Sequence, residues 1–177
     1  MKILVISGFL GAGKTTFIKT LAEKTNKDFV VLENDYGQTD IDGAVLRSCT
    51  DLKVYKLAEG CVCCTMKQDF ATSILTIANT LDPEYLVVEP TGVAKLSNIL
   101  ANIQKIQYER IALLKPLTIL DANTFDECLQ RFGEIYTDQI DVASRIVVSK
   151  AEGADWNDLD DLQELERKIR DRNKDAE

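Results

Sequence analysis

The amino-acid sequence predicts a three-layer α/β fold, a mostly parallel sheet with helices on both faces. Two observations carry that expectation. Short apolar runs alternate with segments of helical period along the whole chain. The first run, Lys2–Ser7 (KILVIS), is rich in β-branched residues and leads through a glycine-rich turn directly into a helix. Strands are expected at Lys2–Ser7, Phe29–Glu33, Lys53–Leu57, Tyr85–Glu89, Leu117–Asp121 and Arg145–Ser149. Helices are expected at Lys14–Lys24, Lys67–Leu81, Val93–Gln107, Thr124–Phe132 and Asp155–Arg172. The first helix places Phe17, Ile18, Leu21 and Ala22 at helical spacing. The last carries Trp156, Leu159, Leu162, Leu165 and Ile169 as an apolar stripe on a charged background, the mark of core packing. No low-complexity linker or internal repeat divides the chain, so residues 1–177 read as a single domain. In such a fold ligands sit at the carboxyl ends of the strands.

The turn after the first strand reads GFLGAGKT from Gly8 to Thr15 and fills the template G-x-x-x-x-G-K-[ST] without a mismatch. Successive backbone N–H groups in such a loop form a concave anion site, and the helix N-terminus adds partial positive charge. The phosphate cradle comprises Gly8, Gly11, Ala12, Gly13, Lys14, Thr15 and Thr16. Lys14 would set its ammonium on the β- and γ-phosphates, and the Thr15 hydroxyl would ligate Mg²⁺. The fold is thus expected to be that of a P-loop NTPase.

Composition narrows the chemistry further. The net charge is -8, which argues against general binding to nucleic acid or anionic membranes. From Glu152 onward there are ten acidic and five basic residues, as on a solvated helix face. No run approaches the ~18 apolar residues of a membrane span, and no basic leader precedes an apolar segment, so cytoplasmic residence is expected. The five cysteines, an odd count without a secretion signal, do not resemble a disulfide framework. Histidine is absent, which removes the commonest metal ligand and general base. Any metal site must use thiolates and carboxylates, and any hydrolysis must rely on positioning.

Four further segments fall at strand ends. Glu89-Pro90-Thr91-Gly92 combines an acid able to hold Mg²⁺ through water with a glycine that lets a loop approach the γ-phosphate. Glu33-Asn34-Asp35-Tyr36-Gly37-Gln38 lies where a nucleotide-sensing loop would sit. Asp35 is a candidate Mg²⁺ partner there, and Glu33 a candidate ligand for a second metal. Gly60-Cys61-Val62-Cys63-Cys64 offers three soft thiolates, suited to Zn²⁺ and related metals. Buried small hydrophobes, a redox pair and a packed turn are the other uses open to that cluster. Cys49 and Cys128 stand alone and read as structural. Ser149-Lys150-Ala151-Glu152 occupies the place where guanine-specific enzymes carry Asn-Lys-x-Asp. Glu152 keeps the carboxylate acceptor for the base, the Lys150 stem would cover it, and Ser149 keeps a polar group without the amide.

GFLGAGKT, ENDYGQ, GCVCC, EPTG and SKAE, in this order, resemble the CobW-like family of phosphate-loop GTPases. The wider group includes metallochaperones and the helpers that deliver nickel to urease and hydrogenase. GCVCC placed between the phosphate loop and EPTG is the specific part of the resemblance. Gln38 stands where some relatives carry an acid, SKAE departs from Asn-Lys-x-Asp at two positions, and the C-terminal domain usual in CobW-like proteins is not represented.

The resemblance implies Mg²⁺-dependent GTP hydrolysis coupled to delivery of a transition metal. Zn²⁺ is the first expectation, with Co²⁺ or Ni²⁺ as alternatives, and the partner is a client metalloprotein. A nucleotide- or metal-dependent homodimer is a further expectation. Lys14, Asp35, Glu89 and Gly92 would form the catalytic set; Thr15, Asp35 and Glu89 would hold Mg²⁺; Glu33, Cys61, Cys63 and Cys64 would hold the transition metal. The competing readings are an accessory GTPase for a corrinoid or nickel enzyme, an ATP-dependent P-loop kinase acting on a small molecule, and a non-hydrolysing scaffold that stores metal.

Overall fold

Lys2–Gly8 forms β1 in the middle of the sheet, where Ile3, Val5 and Ile6 are fully buried. The computed structural model describes residues 1–34, 53–56, 66–152 and 159–177. The remaining strands are β2 (Phe29–Asn34), β3 (Lys53–Lys56), β4 (Tyr85–Pro90), β5 (Ala112–Leu113), β6 (Leu117–Asp121) and β7 (Arg145–Ser149). The helices are α1 (Lys14–Lys24), α2 (Met66–Thr80), α3 (Leu96–Gln104), α4 (Phe125–Asp141) and α5 (Leu159–Arg172). A single 3₁₀ turn, Ala122–Thr124, joins β6 to α4.

The strands run in the order β3-β2-β4-β1-β6-β7, and every pairing between them is parallel. The short β5 pairs with the first residues of β1. From β1 the chain moves out to β2 and β3, returns to β4, then crosses to β6 and β7 on the other side. That reversal opens a crevice at the carboxyl ends of β1 and β4, the position at which ligands bind in open α/β sheets.

Both faces of the sheet are covered. Val30, Leu32, Leu86 and Val88 pack with Phe70 and Ile74 of α2 and Leu96 and Ile103 of α3. The alternate residues Val31 and Val87 pack on the opposite side with Ile18 of α1. This is why the strands read as continuous apolar runs and not as alternating ones. Each large aliphatic side chain so buried contributes about 1.5–3 kcal/mol. A third cluster joins Phe9, Leu120, Phe125, Tyr136 and Ile140 to Leu165 and Ile169 of α5, so the predicted stripe on the last helix is core packing at those two positions. Trp156 lies outside the described residues.

The structure corrects several sequence-based boundaries. The helix expected over Val93–Gln107 spans only Leu96–Gln104. Residues ahead of it form a turn closed by the Ala94 N–H on the Thr91 carbonyl, 2.9 Å. The helix expected to stop at Phe132 runs to Asp141. Glycine commonly ends a helix, and the Gly133 backbone is non-helical (φ 32°, ψ −104°), but burial of Tyr136, Gln139 and Ile140 carries the helix beyond it. The two-residue β5 lies within the short apolar run from Ile111 to Leu114 and was not anticipated.

Asn173, just after α5, anchors the end of the chain to the end of α4. Its amide donates to the carbonyls of Ile140 (2.7 Å) and Ala143 (2.8 Å), and its carbonyl accepts from the Ala176 N–H at 3.1 Å. Replacing it by alanine orphans several buried backbone groups. Asn173→Ala should therefore lower stability by about 2–3 kcal/mol, measured by urea unfolding.

The Tyr136 phenol is buried with no hydrogen-bond partner among the described residues, and burial pushes its pKa above the ordinary range. A raised folded-state pKa means that the native state keeps its proton while the unfolded chain loses it above about pH 10, so stability should fall as pH rises through that point. Tyr136→Phe should match or exceed the parent at neutral pH and lose less stability between pH 9 and 11, as thermal melts across that range would show.

Candidate functional site

The glycine-rich turn between β1 and α1 sets the site. Gly13 caps α1 with φ 93°, a left-handed conformation that a Cβ would strain, and the Phe17 N–H closes on its carbonyl at 2.9 Å. Lys14, the first residue of α1, is buried, and its ammonium donates to the Phe9 carbonyl at 3.3 Å. Phe9 is fixed from below: its ring lies 4.3 Å from that of Phe132 and packs edge-on to Tyr136 at 6.0 Å. The loop backbone is thereby held on α4 through one aromatic side chain.

Pairing of β1 with β4 brings the second loop alongside. The Thr15 hydroxyl donates to Glu89 Oε1 at 3.2 Å, joining residues 74 apart in sequence. Glu33 is in register with Glu89 across the β2–β4 pair, so both carboxylates leave the same face of the sheet. Glu33 is only 4% exposed. Leu10, Gly11, Gly13, Lys14, Thr15, Thr16, Glu33, Glu89 and Thr91 line a cleft of about 210 Å³ that Gly92 closes at one side. One buried cation, a hydroxyl and two carboxylates thus share a polar crevice, a donor set of the hard oxygen type that suits Mg²⁺.

Gly92 lies closer to the phosphate loop than any side chain permits. A Cβ built on it would stand 2.5 Å from the Leu10 backbone nitrogen and 2.9 Å from the Phe9 carbonyl carbon. From sequence this glycine is expected to let the loop approach the γ-phosphate; what the geometry shows is its backbone packed against that of Phe9 and Leu10.

At the end of β7 the Ser149 hydroxyl is turned inward. It donates to the carbonyl of Ala12 (2.8 Å) and lies 3.2 Å from that of Leu120. Lys150 adopts a positive φ of 58°, and its ammonium pairs with Asp121 Oδ2 at 2.7 Å. Asp121 in turn accepts from the Asn123 N–H at 3.0 Å and so caps the 3₁₀ turn. Glu152 is exposed. The motif read as base-recognising is therefore adjacent to the phosphate loop and tied to it through Ser149. Asp35, Cys61, Cys63 and Cys64 lie outside the described residues; Cys128 is buried in the aromatic cluster.

Sequence reasoning missed the supports contributed by α4. Gln139 is fully buried and its side-chain amide donates to the carbonyls of Gly92 (3.0 Å) and Ala94 (2.9 Å). Asp138 accepts from both the N–H and the hydroxyl of Ser97, capping α3. The hydrogen bond from Lys95 holds the exposed Glu134 carboxyl below its usual range and raises Lys95 in return. The i, i+4 spacing of Glu134 and Asp138 is a helical signal, but it lies beyond the expected helix end at Phe132, and a lone glutamine carries no signal.

Residues 2–177 match the nucleotide-binding domain of CobW, HypB and UreG. The chain belongs to the CobW/HypB/UreG nucleotide-binding domain family. Among curated members it is 34% identical over 151 residues to the zinc chaperone YeiR of Escherichia coli (strain K12), a match covering 84% of this chain and 46% of YeiR. It is 29% identical over 161 residues to the zinc chaperone YjiA of the same organism, covering 86% and 50%. The chain thus spans half or less of the length of these two family members. In structure it resembles the Zn(II)-bound YjiA GTPase from E. coli (TM-score 0.66, 20% identity, 96% of this chain and 54% of the other). It also resembles HypB from Helicobacter pylori in complex with nickel (TM-score 0.68, 18% identity, 98% and 75%). Both likenesses bear out the three-layer α/β fold expected for this family.

The Gly92 contact supplies a direct check on the geometry. Gly92→Ala should cost about 1–3 kcal/mol by overpacking against backbone that cannot rotate away, read as a lowered midpoint in denaturant.

Proposed function

We propose that this chain is a GTP-binding and GTP-hydrolysing module that couples hydrolysis to delivery of a thiolate-bound transition metal, zinc first, to a client metalloprotein. The observation that carries the reading is the crevice in which Lys14, Thr15, Glu33 and Glu89 converge at the carboxyl ends of β1 and β4. Membership of the family and the names of its zinc-chaperone members support the choice of nucleotide and cargo. That no described helix is long and apolar enough to cross a membrane fits the cytoplasmic residence proposed for the module.

The roles follow from the donors. The amides of residues 11–15 and the Lys14 ammonium would bind the phosphates and stabilise the leaving oxygens. Thr15 and Glu89, with Asp35, would hold Mg²⁺; when bound, the ion offsets the charge that spreads over the phosphate oxygens. With no histidine in the chain, the attacking water would be oriented by loop groups, among them the Gly92 N–H. Water attacks the γ-phosphorus, the bond to the β–γ bridging oxygen breaks, and GDP leaves with that electron pair. Ser149, Lys150 and Glu152 would border the base.

The thiolate cargo would be held by Cys61, Cys63 and Cys64. Strand β3, whose last residue Lys56 is in register with Glu33, precedes Cys61 by five residues. Glu33, which lines the crevice, would be the carboxylate that serves both the metal and the phosphates. By linkage, the nucleotide would then change metal affinity and the metal would change nucleotide affinity by the same factor.

Phosphate release should be faster with GTP than with ATP, and Lys14→Ala should reduce it by about 100-fold or more. Titrations of Zn²⁺, Co²⁺ and Ni²⁺ with and without a non-hydrolysable GTP analogue should show a shift in metal affinity that Cys63→Ala abolishes. Equal metal binding by parent and Cys63→Ala, indifferent to nucleotide, would refute the coupling.

A further inference from the structure

We propose that Gln139 is a positioning residue for the terminal-phosphate end of the crevice: its buried amide latches the Gly92–Ala94 loop against the phosphate loop. The inference rests on the nucleotide reading above and adds to it a residue outside the binding site itself.

The latch is built from one donor group and two acceptors. Both hydrogens of the Gln139 side-chain amide are used, on the Gly92 carbonyl at 3.0 Å and the Ala94 carbonyl at 2.9 Å. The side chain is fully buried and so is its bond to Gly92, so the Gly92 carbonyl cannot exchange this partner for water without opening the loop. The backbone of Gln139 is itself pinned, since its carbonyl accepts from the buried Thr118 hydroxyl of β6 at 2.8 Å. The chain from sheet to loop is therefore continuous: Thr118, Gln139, Gly92, and across the short gap to the backbone of Leu10.

The neighbouring groups act in the same direction. Asp138 holds the first turn of α3 through Ser97, and Glu134 holds Lys95. All three contacts come from the part of α4 beyond the non-helical Gly133. A stretch of six residues thus grips the loop from Gly92 to Ser97, while the part before Gly133 supports Phe9 through Phe132.

The carbonyl oxygen of the Gln139 side chain is buried with no hydrogen-bond partner among the described residues. Burying that oxygen unpaired costs free energy that a nonpolar side chain would avoid. The amide is therefore poorly explained as a contributor to stability alone and well explained as a loop anchor. Fixing Gly92 in advance means that the terminal phosphate meets an N–H already in place, with less loop ordering to oppose binding. A diphosphate, which does not reach Gly92, gains nothing from the latch.

The test compares GDP with guanosine 5′-(β,γ-imido)triphosphate, by calorimetry in Mg²⁺, on the parent and on Gln139→Met and Gln139→Glu. Met keeps the volume without donors; Glu keeps the shape and presents an oxygen to the two carbonyls. Both variants should bind the triphosphate analogue about tenfold more weakly, the scale of one to two lost hydrogen bonds, with GDP affinity changed less than twofold. Amide exchange on the unaltered chain gives a second reading should the variants not fold: the triphosphate analogue should protect residues 91–95 more than GDP does. Equal weakening for both nucleotides, no weakening, tighter triphosphate binding, or identical protection by the two nucleotides would each overturn the latch. A parent that binds both nucleotides confines such a failure to Gln139; a parent that binds neither removes the nucleotide reading and the latch together.

Discussion

Two loops leaving neighbouring parallel strands touch backbone to backbone, and the site depends on that contact. Strand β1 delivers Phe9 and Leu10, strand β4 delivers Gly92, and only hydrogen fits on Gly92 in the space between them. Pairing of β1 with β4 sets the spacing to within the width of one peptide. Burial on both faces of the sheet makes that pairing hard to shift. From it follow the Thr15–Glu89 hydrogen bond, the shape of the crevice and the path by which α4 reaches the loop.

Electrostatics at the crevice are those of an anion site walled by acids. Lys14 and the helix N-terminus supply positive potential, while Glu33 and Glu89 supply negative charge two strands wide. Such a pocket favours a phosphate chain that arrives with a divalent cation over one that arrives bare. On the other side Ser149 ties the end of β7 to the carbonyl of Ala12, so the segment that opens at Ser149 and the glycine-rich loop share one hydrogen bond.

The fold was almost entirely legible. The six longer strands were placed within a residue or so, because strands buried on both faces leave a local mark in composition. The phosphate loop was legible for the same kind of reason: its glycines, lysine and threonine act within eight consecutive residues. What was lost depended on residues far apart. No periodicity announces that the Gln139 amide meets carbonyls 45 and 47 positions earlier, or that the Ser149 hydroxyl faces inward to Ala12 and not out to a base. The continuation of α4 through Gly133 escaped because a local stop signal was outweighed by the burial of Tyr136 and Ile140.

The register of β2 on β4 has an evolutionary corollary. Glu33 opposes Glu89, and Val31 opposes Val87. Because side chains alternate along a strand, deleting one residue from the first half of β2 would carry Glu33 to the opposite face and put Asn34 in its place. Point substitutions along β2 can be sampled one at a time, whereas single-codon deletions there remove an acid from the crevice and push a charge under α2 and α3 at a stroke. Length variation among descendants of this domain should therefore collect in the segments between strands, with β2 itself constant in length.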